Sequence, residues 1–522
     1  MLPNTQTAPA RQVQRNIGAA VIVLSAWLVT TVAFWVGYAG GDDLFYARYA
    51  FLLHRAPLNW WEFRIPFILA LRASFFAFGP SELAAALPTL MASLGILAAV
   101  IWFLGWTKRP AWQTVAGGLI AATLPLDVGY RSVPLAPFLA GGMLALGTVC
   151  LLKENSRVRA CGSLLLATAF VTHEVSVFYV SVLCLTALAF DKKRFFRPVL
   201  LCVVLSAGAT LVECVVYKVL LGDWLARFRT AAATSSGLVA GLDPDMGISG
   251  LRFYTWPLEN LLFCKSFGID LILVLVFGIL AWRSFKQEHR ILFIATFLTW
   301  AWLGYGSQVP WAYTPFYRQM HYYFFLTFCI AVLLPYSLAT VLGRRATLAR
   351  AIVGVVVALH LACAAAGGRW GQSVDVSRDL LQYAKNHSDR TFLTDVFTMN
   401  QMYVLAGFRL PPNVVCLNGP GGEDLLVNKE PPGTPRFRFR EIPVNGVLVN
   451  LEGVYSGAHV EAAFARYLGR QGGKRERITP VQYKLLFRPF AQFAHLPQFA
   501  VRSLGGEVRW LEPGSQSGGA QR

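Results

Sequence analysis

The stretch Gly40-Gly41-Asp42-Asp43-Leu44-Phe45-Tyr46 sets two carboxylates side by side directly after an apolar run. A carboxylate so placed is suited to general-base work, taking the proton of an attacking hydroxyl or amine. Adjacent side chains at a helix start face different ways, so one acid could enter a site while the other caps the helix. Two caps are the alternative, because acids in a first turn complement the helix dipole. Other candidates are scattered: Arg64 in an aromatic-rich stretch, Thr172-His173-Glu174 inside a long apolar run, and Arg318 three residues before His321. Arg318 and His321 would share a helical face, which suits holding a phosphate, and tyrosines around them suit interface anchoring. His173-Glu174 is either a hydrogen-bonded turn or a substrate contact; without a second histidine it is no zincin motif. No cluster has metal-ligand spacing, and a divalent-metal requirement stays open.

The elements that position these residues are membrane spans. Of 522 residues 55% are hydrophobic and 14% charged, where soluble proteins carry roughly a quarter charged. Apolar runs that approach the roughly 20 residues of a crossing lie near 17–38, 84–106, 112–126, 134–152, 160–190, 197–221, 268–282, 291–304, 322–342 and 351–366. The formal charge of +19 does not call for nucleic acid. Basic residues cluster in the short connections at Arg11/Arg15, Lys108/Arg109, Lys153 to Arg159, Lys192 to Arg197, Arg283 to Arg290 and Arg344 to Arg350, the pattern of cytoplasmic loops.

The run 160–190 is too long for one crossing, and basic clusters flank both its ends. It is expected to fold as a hairpin of two short helices with Thr172-His173-Glu174 at the tip. That gives an α-helical polytopic protein of about eleven spans in the cell (inner) membrane, with a cytoplasmic N-terminus and an external C-terminus. Residues 1–366 form the membrane module, with an outer loop at 39–83 carrying interfacial helices. Residues 367–522, rich in Asp, Asn, Gly and Pro, form an extramembrane mixed α/β domain, with a helix at Val376–Asn386, a strand at Val444–Leu451 and a basic-faced strand at Arg436–Arg440. The nine cysteines fall mostly in apolar runs and read as small hydrophobes; one bridge, Cys264–Cys416, is conceivable.

The order of an acidic pair, a basic-Pro element at Arg64-Ile65-Pro66, and Phe78-Gly79-Pro80-Ser81-Glu82-Leu83-Ala84-Ala85-Ala86-Leu87-Pro88 entering the second span resembles the GT-C superfamily of membrane glycosyltransferases. Protein O-mannosyltransferases and lipid A aminoarabinose transferases belong to it. The resemblance spans roughly residues 15–345. It implies transfer of a sugar from a polyprenyl-phosphate donor to a lipid, glycan or protein acceptor at the outer membrane face, with inversion. Asp42 takes the place of the catalytic acid, Asp43 of the acid after it, and Arg64 of a lysine on the lipid phosphate. Arg318 matches an arginine that often begins a late span. Where the family often has an acid a few residues after an arginine at the fourth span, Arg131 is followed by Ala136, so Arg131 keeps the binding role without that acid. Asp127 either replaces it or pairs locally with Arg131. His173 and Glu174 stand at a tip where the family has Thr-Lys-Glu or Thr-Lys-Gly. A transporter or flippase of lipid-linked glycans would need no early acidic pair and should show internal repeats, which are not seen. An envelope glycan polymerase or ligase usually carries its large loop late.

Overall fold

The computed structural model describes residues 8–52, 64–106, 110–229, 241–243, 248–308, 313–316, 319–366, 372–409, 412–416, 445–451, 474–478 and 505–510. In chain order the helices are α1 (Ala8–Ala33), α2 (Asp42–Leu52), α3 (Ile65–Phe78), α4 (Glu82–Trp106), α5 (Ala111–Thr123), α6 (Pro125–Tyr130), α7 (Ala136–Leu152), α8 (Ser156–Thr172), α9 (Ser176–Phe190) and α10 (Lys192–Leu221). They continue with α11 (Leu251–Leu262), α12 (Asp270–Ala281), α13 (Gln287–Tyr305), α14 (Leu326–Leu342), α15 (Ala346–Ala366), α16 (Gln372–Asn386) and α17 (Val396–Leu405). The strands are β1 (Leu242–Asp243), β2 (Ile248–Ser249), β3 (Phe392–Thr394), β4 (Val414–Cys416), β5 (Gly446–Asn450), β6 (Arg475–Ile478) and β7 (Gly506–Trp510). Contacts divide the chain into two compact units: residues 1–35, 58–70 and 87–368, and residues 36–57, 71–86 and 369–522.

The first unit is a helical bundle. Among the described residues three helical segments are long and apolar enough to cross a membrane, Glu82–Gly105, Lys192–Val219 and Ala346–Ala365. Helices α7, α9 and α14 are apolar but, at 17, 15 and 17 residues, fall short of the roughly 20 that a perpendicular crossing takes. The apolar run at 160–190 does break, at His173-Glu174-Val175, between α8 and α9. Small residues let neighbouring helices approach closely: a Cβ on Gly162 would lie 2.6 Å from the Leu151 amide, and one on Gly142 2.8 Å from Ala92 backbone.

Two buried polar knots hold this bundle. Arg131, fully buried, forms an ion pair of 2.8 Å with Asp127 one turn earlier. Its guanidinium also donates to the Ala122 carbonyl at 2.6 Å, to the Thr30 and Thr31 hydroxyls at 3.1 Å and to the Trp27 carbonyl at 3.2 Å, while Asp127 accepts from Ser93 at 2.8 Å. Arg131 and Asp127 thus tie together α1, α4, α5 and α6. In the second knot His360 of α15 lies 2.8 Å from the Asp270 carboxylate of α12 and 3.1 Å from the Thr123 hydroxyl of α5. Cys264 is a free, buried thiol, so the Cys264–Cys416 bridge is not formed.

The second unit has a five-stranded mixed sheet in the order β4-β3-β5-β7-β6, parallel at β4-β3-β5 and antiparallel at β5-β7 and β7-β6. Val376, Leu380 and Leu381 of α16, Met399 and Met402 of α17 and Phe392, Leu448 and Val508 of the sheet form its core. The expected helix at Val376–Asn386 and strand at Val444–Leu451 correspond to α16 and β5; Arg436–Arg440 lie outside the described residues. This unit also incorporates α2 and the α3–α4 turn. Phe408 stacks on Phe51 with ring centroids 4.2 Å apart, Arg48 donates to Asn400 at 3.3 Å, and Arg72 donates to the Ala50 carbonyl at 3.1 Å.

Replacing Arg131 by Ala leaves the Asp127 carboxylate buried without its cation, and breaking such a pair from one side costs about 3–5 kcal/mol. The melting temperature of the purified protein should fall sharply in Arg131→Ala and less in the double variant Asp127→Leu/Arg131→Leu. Equal losses would show that the pair is not what anchors α6.

Candidate functional site

Two groups of chemically capable residues emerge, one in each unit. The first lies at the α8–α9 break. The Glu174 carboxylate receives Arg64 Nη2 on Oε1 at 2.8 Å and faces Arg227 Nη2 with Oε2 at 3.6 Å. Arg227 is fixed from its other side by Glu213 of α10, whose two oxygens accept from Nη1 at 3.0 and 2.7 Å. Both arginines are buried. Local packing puts them there: Ile65, next to Arg64, packs on Tyr217 of α10 and on Ala226, next to Arg227. His173 Nε2 lies 3.9 Å from Glu174 Oε1, and the imidazole is enclosed by Tyr322 and Phe324, with ring centroids 6.0 and 5.7 Å away. His321, on the turn Met320–Tyr323, feels the Arg64 and Glu174 charges; burial and then Arg64 push it down to about 3, and it is neutral at physiological pH.

The structure therefore brings together Arg64, His173, Glu174 and His321, which the sequence nominated, and adds Arg227 and Glu213, which it did not. Arg131 directs its guanidinium to α1, α5 and Asp127 instead. Arg318 lies outside the described residues. Arg227 had a signal that went unread: it stands within Trp224-Leu225-Ala226-Arg227-Phe228-Arg229, an aromatic-basic stretch like the one that singled out Arg64. Glu213, an acid inside an apolar run, is the kind of intramembrane charge that by default implies a partner.

An apolar groove of about 580 Å³ runs between α8, α9 and α10, walled by Phe170, Val177, Val180, Val203, Ala207 and Leu211. Its upper end adjoins the cations in the chain itself. Phe170 precedes Val171, whose carbonyl accepts from Arg227 at 3.5 Å, and Cys214 of the groove follows Glu213. The Thr210 hydroxyl is turned to the Ser206 carbonyl at 2.9 Å, which leaves the wall effectively nonpolar.

The second group lies in the other unit, where Asp42 and Asp43 open α2. Asp43 is 1% exposed and turned back into the glycine loop: Oδ2 accepts from the Ala39 amide at 2.7 Å and the Gly40 amide at 3.3 Å, and Oδ1 from the Gly41 amide at 2.7 Å. Gly40, with φ of +94°, gives the loop a conformation that L side chains rarely adopt. Burial pushes the Asp43 carboxyl up to about 6 against these amides, which pull it down. Such a value would suit a base, but both oxygens are spent on the loop. Asp42 is half-buried at the first position of α2. Glu82 supports the same loop, accepting from the Tyr38 amide at 3.2 Å and from Arg378 of α16 at 2.7 and 3.0 Å. The Phe78-to-Glu82 motif is thus a helix junction: Gly79 ends α3 with φ of +75°, Ser81 caps α4 by accepting from the Ala84 amide at 3.2 Å, and Glu82 anchors α16. Among the described residues no group of acids, histidines and cysteines is placed to hold a metal ion.

No family model and no curated protein sequence matches the chain. Solved structures do. The crystal structure of ArnT from Cupriavidus metallidurans bound to undecaprenyl phosphate is similar with a TM-score of 0.51 and 11% identity, over 77% of this chain and 85% of that one. The apo state of ArnT gives a TM-score of 0.49 and 12% identity over 82% and 92%. An oligosaccharyltransferase from Archaeoglobus fulgidus tethered to an acceptor peptide gives 0.42 and 12% over 74% and 63%. At identities this low the likeness is one of architecture, and the chain has the fold of the GT-C membrane glycosyltransferases.

Proposed function

We propose that the chain transfers a sugar from a polyprenyl-phosphate donor to a lipid, glycan or protein acceptor at the outer face of the membrane. The observation that carries this reading is the buried pair Arg64 and Arg227, whose partners Glu213 and Val171 are chain neighbours of residues that line the apolar groove. Cations there would take the lipid phosphate and the groove its isoprenoid tail. The ArnT structure of the same fold holds undecaprenyl phosphate, which supports a carrier of this class.

In this reading Asp42 removes the proton of the acceptor hydroxyl or amine, a step that contributes roughly 10² to 10⁴ in rate. The acceptor attacks the anomeric carbon from the face opposite the lipid phosphate, and the sugar–oxygen bond to the phosphate breaks with inversion. Negative charge builds on the departing phosphate, where Arg64, Arg227 and Arg318 stabilise it. Asp43 positions Asp42 by holding the glycine loop. His321, neutral, is a hydrogen-bonding partner rather than a countercharge. The module has eleven crossings, with the C-terminal domain outside, as the basic clusters direct.

Four measurements test the proposal. A reporter active only outside the cytoplasm, fused after Gly368, should give signal; an expressed but silent fusion contradicts the topology. Asp42→Asn should abolish turnover at every pH without changing the melting temperature. Wild-type activity should fall as the pH drops through about 6, because Asp43 takes up a proton there and its amide ligands lose their anion; Asp43→Asn should be slow but lack this acid limb. Ala207→Trp, which fills the groove from its exposed side, should raise the KM of a long-chain polyprenyl donor about tenfold and leave a short-chain donor unaffected. An equal effect on both donors would remove the groove from the reaction.

A further inference from the structure

Resting on this donor reading, we infer that Glu174 is a resident counter-anion that occupies the place of the donor phosphate, yields it when the donor binds, and retakes it when the lipid product leaves.

Arg64 and Arg227 carry two positive charges, and Glu174 and Glu213 carry two negative ones, so this quartet is neutral as it stands. A phosphate added to it must compete with these carboxylates for the same two arginines, whose side chains are only 6% and 9% exposed. Buried charge without a partner costs several kcal/mol. The donor phosphate therefore reaches both arginines only if one carboxylate yields its place.

Geometry decides which. Glu213 is locked on Arg227 by two bonds and its side chain is 9% exposed. The Glu174 side chain is 32% exposed and makes one short bond, to Arg64, and a longer approach to Arg227. Its two oxygens each address a different arginine, the arrangement that two terminal oxygens of a phosphate would take over. Glu174 also sits in the break between α8 and α9, where it can swing without unwinding a helix. His173 gives the displaced carboxylate a new neighbour: both ring nitrogens are buried without a hydrogen-bond partner among the described residues, and Nε2 is already 3.9 Å away.

The test is binding of undecaprenyl phosphate to the full-length protein in lipid nanodiscs, with turnover measured in parallel. Glu174→Gln should bind the lipid at least tenfold more tightly than wild type. Its KM for the donor and its kcat should both fall, because release of the lipid phosphate becomes slow. The gain should vanish in Arg64→Ala/Glu174→Gln. In wild type, which needs no variant to fold, Glu174 should react faster with a water-soluble carbodiimide once undecaprenyl phosphate is bound. Wild-type binding with no gain in Glu174→Gln, or with Glu174 no more reactive, overturns the inference and leaves the donor reading standing. Failure of wild type and Glu174→Gln alike to bind the lipid overturns both.

Discussion

A cation buried among helices needs a partner, and the pairing of Arg64 and Arg227 through one carboxylate is the constraint around which the first unit's site is arranged. Glu174 fixes where the α8–α9 hairpin must break, because its side chain has to meet arginines from two other segments. Glu213 fixes the upper end of α10 by holding Arg227 from behind. Ile65, Tyr217 and Ala226 pack beneath, so apolar burial and charge pairing specify the same geometry. Agreement between such independent terms is what gives a sequence one structure.

Acids and bases in this chain divide by whether their capacity is used up. Arg131 and Asp127 satisfy each other and three neighbouring helices, which makes them a fastener. Asp43 is likewise consumed by backbone amides. Glu174, by contrast, keeps a third of its side chain exposed beside two buried arginines, and Asp42 is half-buried beside the buried Asp43.

Much of this was legible in the sequence where a single residue type forces an outcome. Gly79-Pro80-Ser81 marks a helix stop and restart, and the 31-residue apolar run with a polar centre had to fold back. Asp127 and Arg131, four apart, announced their pair. The partners of Arg64 and Glu82 were not legible, because they lie 110 and 296 residues away and no local period encodes such a meeting. Type and spacing do not separate Asp42 from Asp43, so the choice of Asp42 came from the family resemblance alone; that Asp43 faces inward is set by the turn of the glycine loop.

The bonds from Glu82 to Arg378 and from Arg48 to Asn400 close chain loops of 296 and 352 residues. The short helix that begins with the acidic pair is made by the ribosome hundreds of residues before the ones that fasten it. Loop closure over such distances slows assembly far more than it weakens the finished state. A nascent chain, or one cut before Arg378, consequently carries the acidic pair on a helix that lacks both of these fastenings.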